Sequence, residues 1–326
     1  SQSRFSSRNV CAKNRSNKVR IAALDLGTNT FINLIADVED SRIARVYLDD
    51  VVVVRLGQGV DRAGALHPDA LVRAENCLKK FRQQIDKHAV DKVVSVATSA
   101  VRGASNKKDF VQMAQKYGIP VETVSGETEA ELTFLGATFD LWNSQGVAVV
   151  DIGGGSTEII CRGGSGGLVG QSLDIGSVRL TERRVTKQPI LDEELENIQM
   201  DIQKQLTSLG GGPLGSQTVF VKTLIAVAGT PTTLAALTQR RSFSEDVVHG
   251  YVLKKQDIDS WISRLAAMPV AQRLTLPGMQ AGREDVLVAG SMILSAVANF
   301  FSLAEVIVST KGVRYGLALR AAKELS

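Results

Sequence analysis

Val147-Ala148-Val149-Val150-Asp151-Ile152-Gly153-Gly154-Gly155-Ser156-Thr157-Glu158-Ile159-Ile160 is an apolar run that ends in an aspartate, breaks at three glycines and resumes. Such a pattern reads as strand, tight turn, strand. If Gly154-Gly155 are the two turn residues, the pairing follows by arithmetic: 153 faces 156, 152 faces 157, and Asp151 faces Glu158. Two carboxylates about 5 Å apart at their Cβ atoms repel each other, so a positive charge is needed between them. A hard cation such as Mg²⁺, held by one or two carboxylates plus phosphate oxygens, meets that need, which makes Asp151 and Glu158 candidate metal ligands. The backbone N–H groups of Gly153 to Ser156 can meanwhile form an anion-binding concavity that no Cβ obstructs. The competing reading is a plain turn with both carboxylates in water.

The pattern occurs twice. Val19 to Asp25 is an apolar run ending in aspartate, followed by Leu26-Gly27-Thr28-Asn29-Thr30 and a second run, Phe31 to Ala36. After the first hairpin come a strand (Ile43 to Arg55), a helix (Pro68 to His88), a strand (Lys92 to Ala97), a helix (Lys107 to Tyr117), a strand (Ile119 to Val124) and a helix (Glu127 to Ala137). After the second come a strand near Leu168 to Asp174, helices from Val178 to Leu209, a strand (Thr223 to Val227), a helix (Pro231 to Thr238), further helices, and a last strand and helix (Val306 to Ser309, Gly312 to Glu324). Hairpin strands followed by alternating helix and strand imply an α/β fold with mixed sheets, here as two lobes with a cleft between them. The expected organisation is a basic arm over residues 1–18, an N-terminal lobe over 19–138 and a C-terminal lobe over 139–326, with the last helix free to pack back on the N-terminal lobe. The boundary falls in the polar segment Phe139 to Gly146, and Gly163 to Gly167 and Gly210 to Gly215 read as loops.

Composition narrows the class. The chain has 326 residues, 44% hydrophobic and 22% charged with net charge +4, which suits a globular protein with an anionic ligand and does not call for nucleic acid. Its 3 cysteines, Cys11, Cys77 and Cys161, lie far apart and outside any zinc spacing, consistent with a cytoplasmic setting. The 3 histidines are scattered, so no Ser-His-Asp triad can be argued, and the few aromatic residues form no stacking ladder for nucleic acid. Val286 to Ala304 carries no charge, but Ser291, Ser295, Asn299 and Ser302 recur at helical spacing, so a buried core helix is expected there and no membrane span.

Three further segments carry candidate chemistry. Ala228-Gly229-Thr230-Pro231 follows a strand and opens a helix, with Thr230 expected at the N-cap and the helix N-terminus suited to phosphate. Ser125-Gly126-Glu127-Thr128-Glu129-Ala130-Glu131 places three acids in a first helical turn, where the helix dipole alone accounts for Glu127 and Glu131. Arg102 lies just past a strand, at the edge where α/β sheets present ligands. Arg183-Arg184 and Arg240-Arg241 are expected to be solvated surface, with extension of a phosphate track as the alternative.

In order, Asp25-Leu26-Gly27-Thr28-Asn29-Thr30, Ser125-Gly126-Glu127-Thr128-Glu129-Ala130, Asp151 to Glu158, Ala228-Gly229-Thr230 and His249-Gly250 resemble the exopolyphosphatase / guanosine pentaphosphate phosphatase family, within the actin-like phosphotransferase superfamily. The resemblance implies two actin-like (ribonuclease H-like) lobes, and an Mg²⁺-dependent phosphohydrolase of terminal phosphates in which Glu129 activates water and Asp151 and Glu158 serve the metal. It further implies phosphate contacts at Gly27, Thr28 and Asn29, at Arg102, at Gly153, Gly154, Gly155, Ser156 and Thr157, and at Gly229 and Thr230. The substrate is then polyphosphate or guanosine pentaphosphate, and a homodimer is open. Many members carry a further helical C-terminal region, whereas this chain stops at Ser326, so short chains are the expected polyphosphate substrates. Two rival classes stand beside this reading: an ATP-dependent small-molecule kinase of the same superfamily and a non-catalytic sensor of phosphate polymers or alarmones.

Overall fold

The computed structural model describes residues 18–140, 146–163, 167–211, 214 and 221–325. The first half of the chain runs β1 (Val19–Leu26), β2 (Thr30–Glu39), β3 (Arg42–Val53), α1 (Val60–Ala63), α2 (Pro68–Asp86), β4 (Lys92–Ala97), α3 (Ser99–Gly103), α4 (Lys107–Lys116), β5 (Glu122–Thr123) and α5 (Gly126–Thr138). The second runs β6 (Val147–Ile152), β7 (Thr157–Arg162), β8 (Leu168–Leu173), α6 (Ser177–Arg184), α7 (Asp192–Gly211), β9 (Thr223–Val227), α8 (Gly229–Gln239), α9 (Glu245–Val248), β10 (Val252–Lys254), α10 (Lys255–Ala266), α11 (Val270–Arg273), α12 (Leu287–Phe300), β11 (Glu305–Val308) and α13 (Val313–Lys323).

Two mixed sheets result, ordered β3-β2-β1-β4-β5 and β10-β11-β9-β6-β7-β8. In each, a hairpin supplies the antiparallel pair (β1 with β2, β6 with β7), and a helical crossover brings in the parallel neighbour (β4 beside β1, β9 beside β6). The fold is therefore the α/β arrangement of two mixed sheets that the repeated hairpin implies.

Strand alternation gives β1 two buried faces. Ala22, Leu24 and Leu26 face a core completed by Leu78 and Phe81 of α2 and Phe110 of α4. Ile21 and Ala23 face another, made with Leu132 of α5 and Val313, Tyr315, Leu317 and Ala318 of α13. The last helix, which follows the second sheet in sequence, thus covers the first sheet. Conversely, Ala130, Phe134 and Ala137 of α5 pack on Val147, Val149 and Ile160 of the second sheet. The two helices meet through glycines: a Cβ on Gly136 would lie 2.0 Å from the Gly312 carbonyl oxygen, and one on Gly316 would lie 1.9 Å from that of Leu132.

The uncharged Val286 to Ala304 segment is α12, whose residues from Leu287 to Ala298 are buried. Its serines are satisfied inside the fold, Ser291 Oγ donating to the Leu287 carbonyl and Ser295 Oγ to Asp259. Among the described residues no helix is long and apolar enough to cross a membrane.

Several expectations need correction or fall outside the described residues. The N-cap of α8 is Ala228, not Thr230, because the helix already begins at Gly229. Gly210 and Gly211 end α7 and are not loop. Most of the Phe139 to Gly146 boundary, the centre of the Gly163 to Gly167 stretch and the arm up to residue 17 are outside the described residues. The short elements α1, α3 and β10 were not anticipated, since they are too brief to show periodicity.

The Gly316 contact is testable. Gly316→Ala adds a methyl group against the α5 backbone and should cost about 1–3 kcal/mol in urea unfolding, as overpacking does. An unchanged midpoint would show that α5 and α13 can separate without penalty.

Candidate active site

The two glycine turns share one geometry. The Gly27 N–H donates to the Thr30 carbonyl at 3.1 Å, and the Gly153 N–H donates to the Ser156 carbonyl at 3.0 Å. Each closes a two-residue loop, Thr28-Asn29 or Gly154-Gly155, and the register beyond it is Asp25 with Ile32 in the first hairpin and Asp151 with Glu158 in the second. The loops touch across the cleft. A Cβ on Gly154 would meet the Thr28 side chain at 2.9 Å, and one on Gly155 would meet Ser99 Oγ at 2.6 Å, so glycine is what permits this approach. Between the loops lies a cavity of about 420 Å³, whose lining includes Gly27, Thr28, Asn29, Gly153, Gly154, Gly155, Ser156 and Gly229. Asn29 lines it with both amide atoms buried and unpartnered, as suits a side chain that completes its bonds on a ligand.

Asp25, Glu129 and Asp151 also line this cavity. Glu129 reaches it because Ser125 caps α5, its Oγ accepting from the Thr128 N–H at 3.2 Å, which turns Glu127 and Glu131 outward and Glu129 inward. Only 7% of Glu129 is exposed, and its Oε2 accepts from Arg102 Nη1 at 3.2 Å. One turn further along the same helix, Thr133 Oγ1 donates to Asp151 Oδ2 at 3.1 Å. Glu158 is fully buried: Oε1 accepts from Ser172 Oγ at 2.7 Å, and Oε2 has no partner.

Burying these carboxylates together raises their proton affinity. Desolvation, then the charge of Asp151, pushes Asp25 up to about 7, with Arg314 opposing. Desolvation raises Asp151 to about 6 against the Thr133 bond and Arg314. Desolvation and then Asp151 bring Glu158 to about 7, against the hydroxyls of Ser172 and Ser156. Glu129 is held well above the ordinary carboxylate range by desolvation, then by Glu158 and Asp151, against Arg102.

Two cations line the same cavity. Arg314, at the start of α13, is paired with Asp49 through two bonds of 2.7 Å. Arg283 is half-buried and has no carboxylate partner among the described residues; it donates to Thr30 Oγ1 and Gln280 Oε1, each at 3.1 Å, and desolvation brings its guanidinium down to about 10. Its guanidinium occupies the place of a Gly229 Cβ, which would fall 1.5 Å from Nη1, so glycine at 229 is required to seat this arginine.

The structure does not bring every expected contact to the cavity. Thr157 commits its hydroxyl to the Ile175 carbonyl at 2.7 Å and is fully buried. Thr230 packs against Gly290, where a Cβ would meet its Oγ1 at 2.3 Å, and is not part of the lining. Neither side chain lines the cavity. Arg102 also stands behind the lining, bonded to Glu129 and to the Val124 carbonyl. Asp25 ends the first apolar run and opens the first motif but carries no assigned role in the sequence reading, whereas nothing local marks Thr133, Ser172, Arg283 and Arg314.

Among the described residues no three His, Cys, Asp or Glu side chains could by themselves hold a metal ion. The donor set nevertheless fits Mg²⁺, which needs only one or two carboxylates when phosphate oxygens complete its shell: Asp151 lines the cavity, and the bare Glu158 Oε2, buried just behind the lining beside Asp151, is an unpartnered hard donor.

A sequence profile of the Ppx/GppA phosphatase family matches residues 34–325. Among curated proteins, Exopolyphosphatase 2 of Mycobacterium tuberculosis is 36% identical over 293 residues, covering 86% of this chain and 90% of that protein. Among solved structures, an exopolyphosphatase from Cytophaga hutchinsonii superposes with TM-score 0.84 at 30% identity, over 94% of this chain and 98% of that one. The Aquifex aeolicus member of the Ppx/GppA protein family gives TM-score 0.77 at 29% identity, over 95% of this chain and 99% of that one.

Raised carboxylate pKa values tie stability to pH with a definite sign. Between the ordinary values near 4 and the folded values of about 6 to 7, the folded chain holds more protons than the unfolded one, so stability falls as pH rises through that window. Chelator-treated protein should therefore melt at a lower temperature at pH 8 than at pH 5. Asp151→Asn, which removes one of the facing charges, should flatten that decline and match or exceed wild-type stability at pH 8. Identical declines for the two proteins would show that the Asp151 charge imposes no such penalty.

Proposed function

From the premise that this chain belongs to the Ppx/GppA phosphatase family, we propose that it is a phosphohydrolase releasing terminal phosphate from inorganic polyphosphate, with short chains preferred. The observation that carries this reading is the inward carboxylate of Glu129, lining the same cavity as two glycine turns whose N–H groups suit phosphate oxygens. A terminal phosphate seated between the turns would meet the Asn29 amide and the unpaired Arg283. Asp151 and Glu158 would hold Mg²⁺, which when bound neutralises phosphate charge.

Glu129 acts as the base. Its raised pKa makes it a stronger proton acceptor than an ordinary carboxylate, and Arg102 fixes one oxygen so that the other is available to water. The water oxygen forms a bond to the terminal phosphorus as the bridging P–O bond breaks. The proton passes to Glu129, and the shortened chain leaves with its new terminal oxygen charged. Phosphoryl transfer of this kind depends on positioning and charge neutralisation more than on covalent help. A cavity of about 420 Å³ holds only a few phosphate units, which is the basis for the preference for short chains.

One feature favours guanosine pentaphosphate as a second substrate. Ile32, Val51, Val53, Phe243, Ala281 and Val313 give the cavity an apolar wall, which a nucleoside can use and a bare polyphosphate cannot.

Phosphate release should be measured side by side on tripolyphosphate, long polyphosphate and guanosine pentaphosphate, with wild-type protein and Glu129→Gln. Wild type should show a higher kcat/KM on tripolyphosphate than on the long polymer, and Glu129→Gln should keep substrate binding while turnover falls by about 10² to 10⁴. Turnover of Glu129→Gln within about threefold of wild type would remove Glu129 from the role of base. Phosphate transfer from ATP to an added sugar without hydrolysis would favour a kinase instead.

A further inference from the structure

Asp151, Glu158 and Ser172 form one row across three adjacent strands, since Asp151 pairs with Glu158 between β6 and β7 and Glu158 pairs with Ser172 between β7 and β8. The serine does two things in this row. Its Oγ donates to Glu158 Oε1 at 2.7 Å, leaving Oε2 as a buried oxygen without a partner. Its Cβ sits against the first residue of α5, where a Cβ on Gly126 would come within 2.5 Å of it and within 2.8 Å of Oγ. Gly126 opens the helix that carries Glu129 one turn later, and the Glu129 N–H bonds back to the Ser125 carbonyl at 3.0 Å.

We propose that Ser172 is a positioning residue: it fixes the rotamer of Glu158 so that Oε2 stays free to bind the cation, and, wedged against Gly126, it sets the distance between that carboxylate and the helix bearing Glu129. A carboxylate buried beside other acids turns away from them unless something holds it, and Ser172 is a donor placed to do so from the side opposite Asp151. The Ser125-Gly126 step at the start of α5 acquires a reason in the same contact, because any larger residue at 126 would displace the serine.

The inference rests on the phosphohydrolase reading of the cleft, and the test separates the two. Mg²⁺ affinity is measured by calorimetry in the presence of orthophosphate, alongside the Mg²⁺ concentration for half-maximal phosphate release from tripolyphosphate, for wild type, Ser172→Ala and Ser172→Thr. Ser172→Ala should weaken Mg²⁺ binding by about 10- to 100-fold, the range for loss of a group that orients a metal ligand. The loss of one hydrogen bond should lower Tm by only about 4 °C or less. Ser172→Thr, which keeps the hydroxyl, should stay within about fivefold of wild type in Mg²⁺ affinity. If Ser172→Ala does not fold, Ser172→Cys, with a side chain of similar size and a weak donor, is read in the same way. Mg²⁺ affinity and half-activation within about twofold of wild type in the variant lacking the donor would overturn the inference while leaving the activity reading intact. Wild type that hydrolyses tripolyphosphate without Mg²⁺ would do the same, whereas wild type that releases no phosphate from any substrate would overturn both.

Discussion

Two helices cross between the halves of this molecule and meet at glycines. Helix α5 belongs to the first half by sequence but packs on the second sheet, and α13 belongs to the second half but packs on the first. Their contact is backbone against backbone, since Gly136 faces the Gly312 carbonyl and Gly316 faces that of Leu132. This close approach brings both sheets near enough for their glycine turns to touch, and it aims one charged residue from each helix, Glu129 and Arg314, into the same cavity. Spreading the two helices would widen the cleft and separate Glu129 from the glycine turns together.

The cavity so formed is electrostatically costly. Asp25, Glu129, Asp151 and Glu158 are all shifted toward the protonated form by burial, and Asp25, Glu129 and Glu158 by the charge of Asp151 as well. Arg314 offsets part of this, but its charge is largely engaged by Asp49. Such an arrangement is unfavourable as a resting structure and favourable as a receptor for something positive; in the proposed reaction Mg²⁺ carried with a phosphate chain would supply that charge, and the turns and Arg283 would take the negative one. Stability given up at a site in exchange for ligand complementarity is a common property of functional clefts.

The hairpins were the most legible part of the sequence, because a two-residue turn leaves no freedom of register: once Gly154-Gly155 is the turn, Asp151 must face Glu158, as it does. The buried helix at Leu287–Phe300 was equally readable from its lack of charge and its serine stripe. What could not be read is how side chains are spent. Thr157 and Thr230 have the chemistry of phosphate ligands, yet one bonds the Ile175 carbonyl and the other fills the space beside Gly290. Gly229 looked like a phosphate glycine, and its tightest constraint is the guanidinium of Arg283, a residue 54 positions further on by the numbering. Arg283, Arg314, Thr133 and Ser172 reach the site only through tertiary packing, so no local pattern announces them.

The central claim is that the clustered carboxylates form the seat of a divalent cation, and metal binding at such a seat must displace the protons that clustering has recruited. Calorimetric titration of Mg²⁺ with orthophosphate present, at pH 6.5 in two buffers of different ionisation enthalpy, measures this directly. The heats should differ between buffers by an amount corresponding to proton release, and this release should diminish at pH 8.5, where Asp25, Asp151 and Glu158 are already ionised. Mg²⁺ binding with no proton release at pH 6.5, or no binding at either pH, would contradict it.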